Sequence, residues 1–264
     1  MRIGLIGCGA VGAPVVAAWR RGELAGAAKL VAVLVRRPRP AEPDLVVTTE
    51  RAAFLATRPQ VVVEAAGHAA LGAHGVACLE AGADLVVTSA GALVDDGLRE
   101  SLEAAARAAG RRVVVASAGI GALDILAAAA VGGLDSVTVT VRKDPAAWYG
   151  TVAEQRADLG ALAEAVTLFD GPVRKGARLY PQNVNIAAAA ALAGLGLDRT
   201  RLVIIADPTI CDHVVEIEAS GWFGSFGFRE AIVPTAENPR TGRLVALAVI
   251  KTLRRMTAPL VVGD

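Results

Sequence analysis

Aromatic side chains are scarce in this chain: Phe, Trp and Tyr supply 4% of 264 residues, although 54% are hydrophobic. A core made from such a chain is built of Ala, Val, Leu and Ile, a mixture that suits parallel strands covered by helices on both faces. An excess of one charge is missing too. The formal net charge is +1, which gives no field to gather nucleic acid or an anionic membrane surface. Cys8, Cys78 and Cys211 stand singly, without a CxxC pair. That argues against a disulfide framework or a metal site and favours a reducing, cytoplasmic setting. No secretory signal is expected, because the chain runs straight into a strand-like segment at 3–6. The longest apolar run, 113–134, carries one charge, Asp124, but starts on β-branched residues and holds glycines at 119, 121, 132 and 133. It predicts a buried strand, a glycine turn and a buried helix rather than a membrane span.

The first 118 residues alternate between two periodicities. Strands are expected at 3–6, 30–35, 45–48, 61–64, 85–88 and 113–116, and helices at 13–21, 51–56, 69–81 and 96–109. This is the pattern of an α/β, Rossmann-type doubly wound parallel sheet. The second half changes character. SVTVTVR at 136–142 alternates with period two, and further strands are expected at 201–206, 213–220 and 229–233, with helices at 159–168 and 184–194. That predicts an α+β domain with a mostly antiparallel sheet. The expected division is a dinucleotide-binding domain at 1–118, completed by a C-terminal helix in 241–264, and a substrate and dimerisation domain at 119–240.

The chemistry begins with GLIGCGAVGA at 4–13, which contains Gly7-x-Gly9-x-x-Gly12. Three glycines alone are weak evidence, and the flanks decide: a strand precedes Gly7 and a helix opens at Gly12. Gly7 permits the tight turn, Gly9 lets the backbone approach a pyrophosphate, and Gly12 lets helix and strand pack closely. Backbone N–H groups at Ala10, Val11 and Gly12 then meet the phosphates at a helix N-terminus. An NAD site usually places an acid at the end of the second strand, roughly 20 residues on. Here that place reads Arg36-Arg37, and the first acid beyond is Glu42. Guanidinium groups pair with phosphate, so NADP is expected as the preferred cofactor, with NAD possible. The alternative is an exposed basic loop.

Beyond these features the chain resembles the L-aspartate dehydrogenase family over essentially its whole length. The stretches that carry the resemblance are GLIGCGAVG, VVVEAAGHAAL, VVTSAGALVD, SAGIGALD, VTVTVRK, LYPQNVNIAAAAALAGLGLDRT, IADP, EASGWFGSF and ENPRTGRLVALAVIKTLRR. The resemblance implies NAD(P)-dependent oxidation of aspartate to iminosuccinate, then oxaloacetate and ammonia, or the reverse imine reduction, with a role in NAD synthesis. It also implies a homodimer or higher homo-oligomer, a small amino- or oxo-acid substrate, and no nucleic-acid or membrane partner. By the same resemblance Gly119 and Asn185 contact the cofactor. Ala66-Gly67 and Ser89-Ala90 border the nicotinamide, and Asn183, Val215, Asn238 and Thr241 fall at substrate positions. No metal is implied. Thr241 has a second reading, as N-cap of the closing helix.

The chain departs from the family where it matters for catalysis. The family carries Asn-x-His just before the segment matching EASG, and that histidine is its catalytic group. Here the positions read His213-Val214-Val215, and the family lysine of YPxN is Gln182. Amine oxidation needs a base for the ammonium proton, and a valine supplies none. His213 is the candidate, because residues two apart on a strand share a face, about 6–7 Å apart; the other reading is a strand histidine bonded to a neighbour. His68 either approaches the nicotinamide or is a loop residue, and His74 is expected to be structural. Arg142-Lys143 either holds a carboxylate or ends a solvated strand. Trp148, Trp222 and Phe223 are expected in the core or at a subunit interface. The rival functions are a dehydrogenase or imine reductase for a different amino or oxo acid, and a non-catalytic NADP-binding homologue.

Overall fold

The computed structural model describes residues 1–24, 28–40, 42–117, 120–181, 184–235 and 241–263. The chain divides into two compact units, Met1–Ala118 with Val245–Asp264, and Gly119–Leu244.

The first unit alternates as follows: β1 (Arg2–Ile6), α1 (Gly12–Arg20), β2 (Lys29–Leu34), β3 (Val46–Thr48), α2 (Arg51–Ala56), β4 (Val61–Glu64), α3 (His68–Glu80), β5 (Asp84–Val87), α4 (Asp96–Ala109) and β6 (Val113–Val115). The six strands lie in the order β3-β2-β1-β4-β5-β6 and are parallel throughout. This order turns back on itself between β1 and β4, which defines the doubly wound fold and its ligand-binding crest at the strand C-termini. The strands are apolar at nearly every position because helices cover both faces; Val62, Val63, Leu85, Val86 and Val87 are fully buried. Local chemistry sets the element ends. The Asp95 carboxylate caps α4 by accepting the Leu98 N–H at 3.0 Å, and Gly110, at φ +62°, ends it. The closing helix, Leu244–Arg255, joins this core through Val249, Ile250 and Leu253, which cluster with Ile3, Leu5 and Val15.

The second unit holds α5 (Leu123–Gly132), β7 (Leu134–Lys143), β8 (Val166–Pro172), α6 (Val173–Leu179), α7 (Asn185–Ala193), β9 (Arg201–Ala206), β10 (His213–Gly221) and β11 (Gly224–Ile232). Its sheet runs β11-β10-β7-β9-β8, and only the β7–β9 pair is parallel. One face is apolar and closed: Val137, Val139, Val141, Leu202, Ile204, Val215 and Ile217 are at most 1% exposed. The other face carries polar cross-strand pairs such as Ser136–Ser220 and Arg229–Glu216. Ala187–Ala191 of α7 are all buried, so its backbone comes close to the sheet.

Two local expectations are corrected. The helix expected at 159–168 is instead a turn followed by β8. Asp158 Oδ1 takes the Gly160 N–H at 3.2 Å, diverting the chain from helix, and Val166, Thr167 and Phe169 pair with β9. The closing helix starts at Leu244 rather than Thr241, so Thr241 is not its N-cap. Its carbonyl instead accepts the Thr235 N–H at 2.8 Å, beside a Pro234–Gly242 bridge. The 113–134 run resolves into β6 and the ten-residue α5. Among the described residues no helix is long and apolar enough to cross a membrane.

Candidate active site

The glycine turn shows why each of its three positions is glycine. Gly7 sits at φ +92°, with its N–H on the Leu34 carbonyl at 2.8 Å. A Cβ there would lie 2.7 Å from the Ala65 oxygen. A Cβ on Gly12 would lie 2.2 Å from the Gly7 oxygen, so the helix start is pressed against the turn. Around Gly9 the opposite holds: it is exposed, and nothing stands within 4 Å of where a Cβ would be. The space is open to an incoming group. Ala10 and Val11 are half-buried beside it, and α1 has no side-chain cap. In its first turn the Ala13 N–H is taken by the Gly9 carbonyl at 2.9 Å and Pro14 has no N–H, so an anion could meet only the N–H groups at the very start, before Ala13.

Beyond β2, Arg36 and Arg37 are exposed, and neither makes a hydrogen bond or ion pair with a described residue. Glu42 is ion-paired with Arg20, so the first acid after the strand is already engaged. Sequence reasoning missed Arg39, whose Nη2 donates to the Cys8 carbonyl at 3.0 Å. One guanidinium therefore lies on the glycine turn.

The turns after β4 and β5 share one organiser, also missed. Glu64 is fully buried. Its Oε1 accepts the Ala66 and Gly67 N–H groups, both at 2.8 Å, and the Ser89 hydroxyl at 3.0 Å, while Oε2 accepts the Ser89 N–H at 3.2 Å. Four donors satisfy this carboxylate, and they bring Ala66, Gly67 and Ser89 together at adjacent strand ends. Gly67, at φ +103°, has no atom within 4 Å of a Cβ position. Ala90 is 2% exposed and starts a short 3-10 turn. His68 opens α3, and His74 lies further along it, where burial pushes its imidazole below the ordinary value.

In the second unit, the buried face of the sheet ends in ionisable groups. His213 (6% exposed) starts β10 and Lys143 (4%) ends β7, both on the side that carries Val215. The Lys143 ammonium lies 5.6 Å from the Trp148 ring centroid. Directly across from Val215 stands Glu230. Burial pushes its carboxyl up to about 7. Of the two readings of Arg142-Lys143, the solvated strand end fails. Arg142 is committed to Asp207 at 2.8 Å, and Lys143 is no solvated strand end. The Thr209 hydroxyl, Arg142 and the Thr209 N–H hold the Asp207 carboxyl down at about 2. Asn185 is the first residue of α7 and half-buried. Gly119, Gln182, Asn183 and Asn238 lie outside the described residues. Trp148 is in the core, in edge contact with Tyr180, whereas Trp222 is 87% exposed at the β10–β11 hairpin.

The profile described as "Aspartate dehydrogenase, C-terminal" matches residues 124–256, and "Homoserine dehydrogenase, NAD binding domain" matches 7–116. An L-aspartate dehydrogenase of Polaromonas sp. is 42% identical over 99% of this chain and 100% of its own length. The chain belongs to the aspartate dehydrogenase family. Another relative, an L-aspartate dehydrogenase of Cupriavidus necator, is 50% identical over 74% of each chain. The crystal structure of aspartate dehydrogenase from Thermotoga maritima shares the fold, with a TM-score of 0.77 at 22% identity, covering 100% of this chain and 99% of that one.

Val215 is fully buried. His213 is two residues earlier, and its cross-strand partner is Ile232.

Proposed function

We propose that this chain is an NADP-preferring L-aspartate dehydrogenase that converts aspartate to iminosuccinate, which water turns into oxaloacetate and ammonia. The observation that supports the reading most is the open cradle at Gly9, in a chain related over its whole length to an L-aspartate dehydrogenase. The turn fits a dinucleotide: Gly7 and Gly12 are closed by their neighbours, and Gly9 is left open beside a helix start that no side chain caps. When bound, the nicotinamide supplies the hydride acceptor.

The residues of this chain do the rest. Gly7, Gly9, Ala10, Val11 and Gly12 hold the pyrophosphate, and Arg36 and Arg37 take the 2′-phosphate. Ala66, Gly67, Ser89, Ala90, Gly119 and Asn185 position the nicotinamide end. Asn183, Asn238 and Thr241 belong to the substrate. Two substrate carboxylates need cations or N–H donors, and Lys143 and His213 are the buried ones on the second sheet's inner face. The ammonium must lose a proton before the nitrogen lone pair can form the C=N bond. That acceptor belongs on the same face, where sequence reasoning names His213.

A homodimer in the cytoplasm completes the reading. Trp222 (87% exposed) and Val131 (91%) are apolar side chains in water on the second unit, as a surface closed by a second copy would have. Val215 favours one other reading, a homologue that binds NADP without catalysis. Purified protein supplied with NADPH, oxaloacetate and ammonium separates the two. Oxidation of NADPH specific to oxaloacetate supports the dehydrogenase. Oxidation with a different 2-oxo acid moves the substrate, and tight NADPH binding without turnover supports the non-catalytic homologue.

A further inference from the structure

The residue facing the vacated histidine position is an acid. Antiparallel register sets Val215 against Glu230 and His213 against Ile232. Directly opposed residues share one face of a sheet, with Cβ atoms about 4.5–5.5 Å apart. Along β11, Phe226, Phe228, Glu230 and Ile232 are half-buried or buried, and the residues between them are exposed. The Glu230 side chain therefore lies on Val215's side of the sheet, between Phe228 and Ile232. Segments on either side close in: a Cβ on Gly121 would lie 3.1 Å from Phe228, and one on Gly242 would lie 2.6 Å from Ile232.

Glu230 is half-buried; its Oε1 atom is buried and has no hydrogen-bond partner among the described residues. The fully buried carboxylates, Glu64 and Asp207, behave differently. Glu64 is saturated by four donors, and Asp207 is held by Arg142 and Thr209. A buried carboxylate oxygen without a partner costs stability, and a catalytic role is one reason a native protein keeps one.

We propose that Glu230 is the general base of this chain, receiving the proton of the substrate ammonium where the family uses an imidazole. The inference deepens the dehydrogenase reading and rests on it. In the step, one N–H bond of the ammonium breaks and its electron pair stays on nitrogen. The proton passes to a Glu230 oxygen, so that ammonium and carboxylate become a neutral amine and a carboxylic acid. Nothing is oxidised or reduced in that transfer. It frees the lone pair that amine oxidation requires.

Burial alone places the Glu230 carboxyl at about 7, where a base is deprotonated often enough to work near neutral pH. The titratable side chains on this face of the neighbouring strands are His213 and Lys143. Gly121, packed on Phe228, and its neighbours Ile120 and Ala122 bring none, and Gly242, packed on Ile232, is followed by exposed Arg243. Glu216 points to the opposite face, where Arg229 holds it at 3.1 Å. His213, one residue pair along, is left to hold a substrate carboxylate.

The test is a pH profile of kcat/KM for wild type, E230Q, E230D and H213N, with NADPH affinity and melting temperature measured alongside. Wild type should show a rate that rises through about pH 7. E230Q should lose roughly a hundredfold or more in rate together with that rising limb, while binding NADPH as wild type does. E230Q should also melt higher than wild type above about pH 7, a readout independent of turnover that also shows the variant is folded. E230D should retain part of the rate, H213N should retain the limb, and V215H added to E230Q should restore turnover. If E230Q keeps its rate and limb, or the limb disappears in H213N instead, Glu230 is not the base. A wild-type protein that neither binds NADPH nor oxidises aspartate would bring down the dehydrogenase reading, and this proposal with it.

Discussion

Replacing Gly9 and Gly12 one at a time by alanine separates cofactor binding from folding. A Cβ at Gly9 meets nothing within 4 Å, and its φ lies outside the region reserved for glycine. Gly9→Ala should therefore fold with a stability within about 0.5 kcal/mol of wild type. The methyl group occupies the space a pyrophosphate needs, so one or two charge-assisted hydrogen bonds are lost or lengthened. At about 1.5–3 kcal/mol each, that raises the Kd for NADPH by roughly tenfold to more than a hundredfold. Gly12→Ala is the reverse case. Its Cβ would lie 2.2 Å from the Gly7 oxygen, a backbone atom that cannot swing away. Turn or helix must shift, at a cost of about 1–3 kcal/mol, or a melting temperature lower by roughly 2–12 °C. Thermal melts with and without NADPH read both effects. Cofactor at about 100 times Kd stabilises a folded protein by about 2.7 kcal/mol, and that increment should be full in wild type and fall to about 1.4 kcal/mol or less in Gly9→Ala at the same concentration. The reasoning is refuted if Gly9→Ala shows the full wild-type increment, or if Gly12→Ala melts where wild type does.

Arg36→Ala with Arg37→Ala should weaken NADP binding by roughly tenfold to a hundredfold, from charge-assisted bonds of about 1.5–3 kcal/mol, and leave NAD binding within about twofold; titration with both cofactors checks it, and equal losses for the two would place the 2′-phosphate elsewhere. Asp207→Asn should destabilise the protein by about 1–2 kcal/mol near neutral pH, judged from a carboxyl held at about 2 rather than at its ordinary value. Because that pKa is depressed, the stabilisation is full above the ordinary carboxylate value and lost as pH falls through about 2. Melting curves of variant and wild type should thus converge in acid. Glu64→Ala should cost about 1–3 kcal/mol, because the N–H groups of Ala66, Gly67 and Ser89 lose their acceptor, and denaturant titration measures it.

The first sheet was legible because its signals are local. Glycines at 7, 82 and 110 punctuate strand and helix, and each βα unit carries its own periodicity, so most element ends fall within a residue or two of expectation. The region 157–172 was not, because β8 is defined by pairing with β9, some thirty residues on, whereas its apolar spacing suits a helix as well. α6 was missed for the same reason: its short run follows directly on that strand. In the site, the glycine turn could be read from the chain, since the constraints on Gly7 and Gly12 come from near neighbours. Glu64 could not, because its partner Ser89 lies a full βα unit away. A signal was present: a lone acid ending the apolar strand VVVE, which nothing in the strand can satisfy. Glu230 was hidden more deeply. Its place opposite Val215 depends on the β10–β11 register, which a single residue's slip would reverse. The same register explains why His213, two residues from Val215 along the strand, is paired with Ile232.

The most direct test of the account supplies L-aspartate deuterated at Cα together with NADP and follows the label. An NADP-preferring aspartate dehydrogenase transfers the deuterium to the reduced cofactor, releases oxaloacetate and ammonia in equal amounts, and does so less efficiently with NAD. Deuterium that stays on unreacted aspartate, with cofactor tightly bound and unreduced, would contradict it.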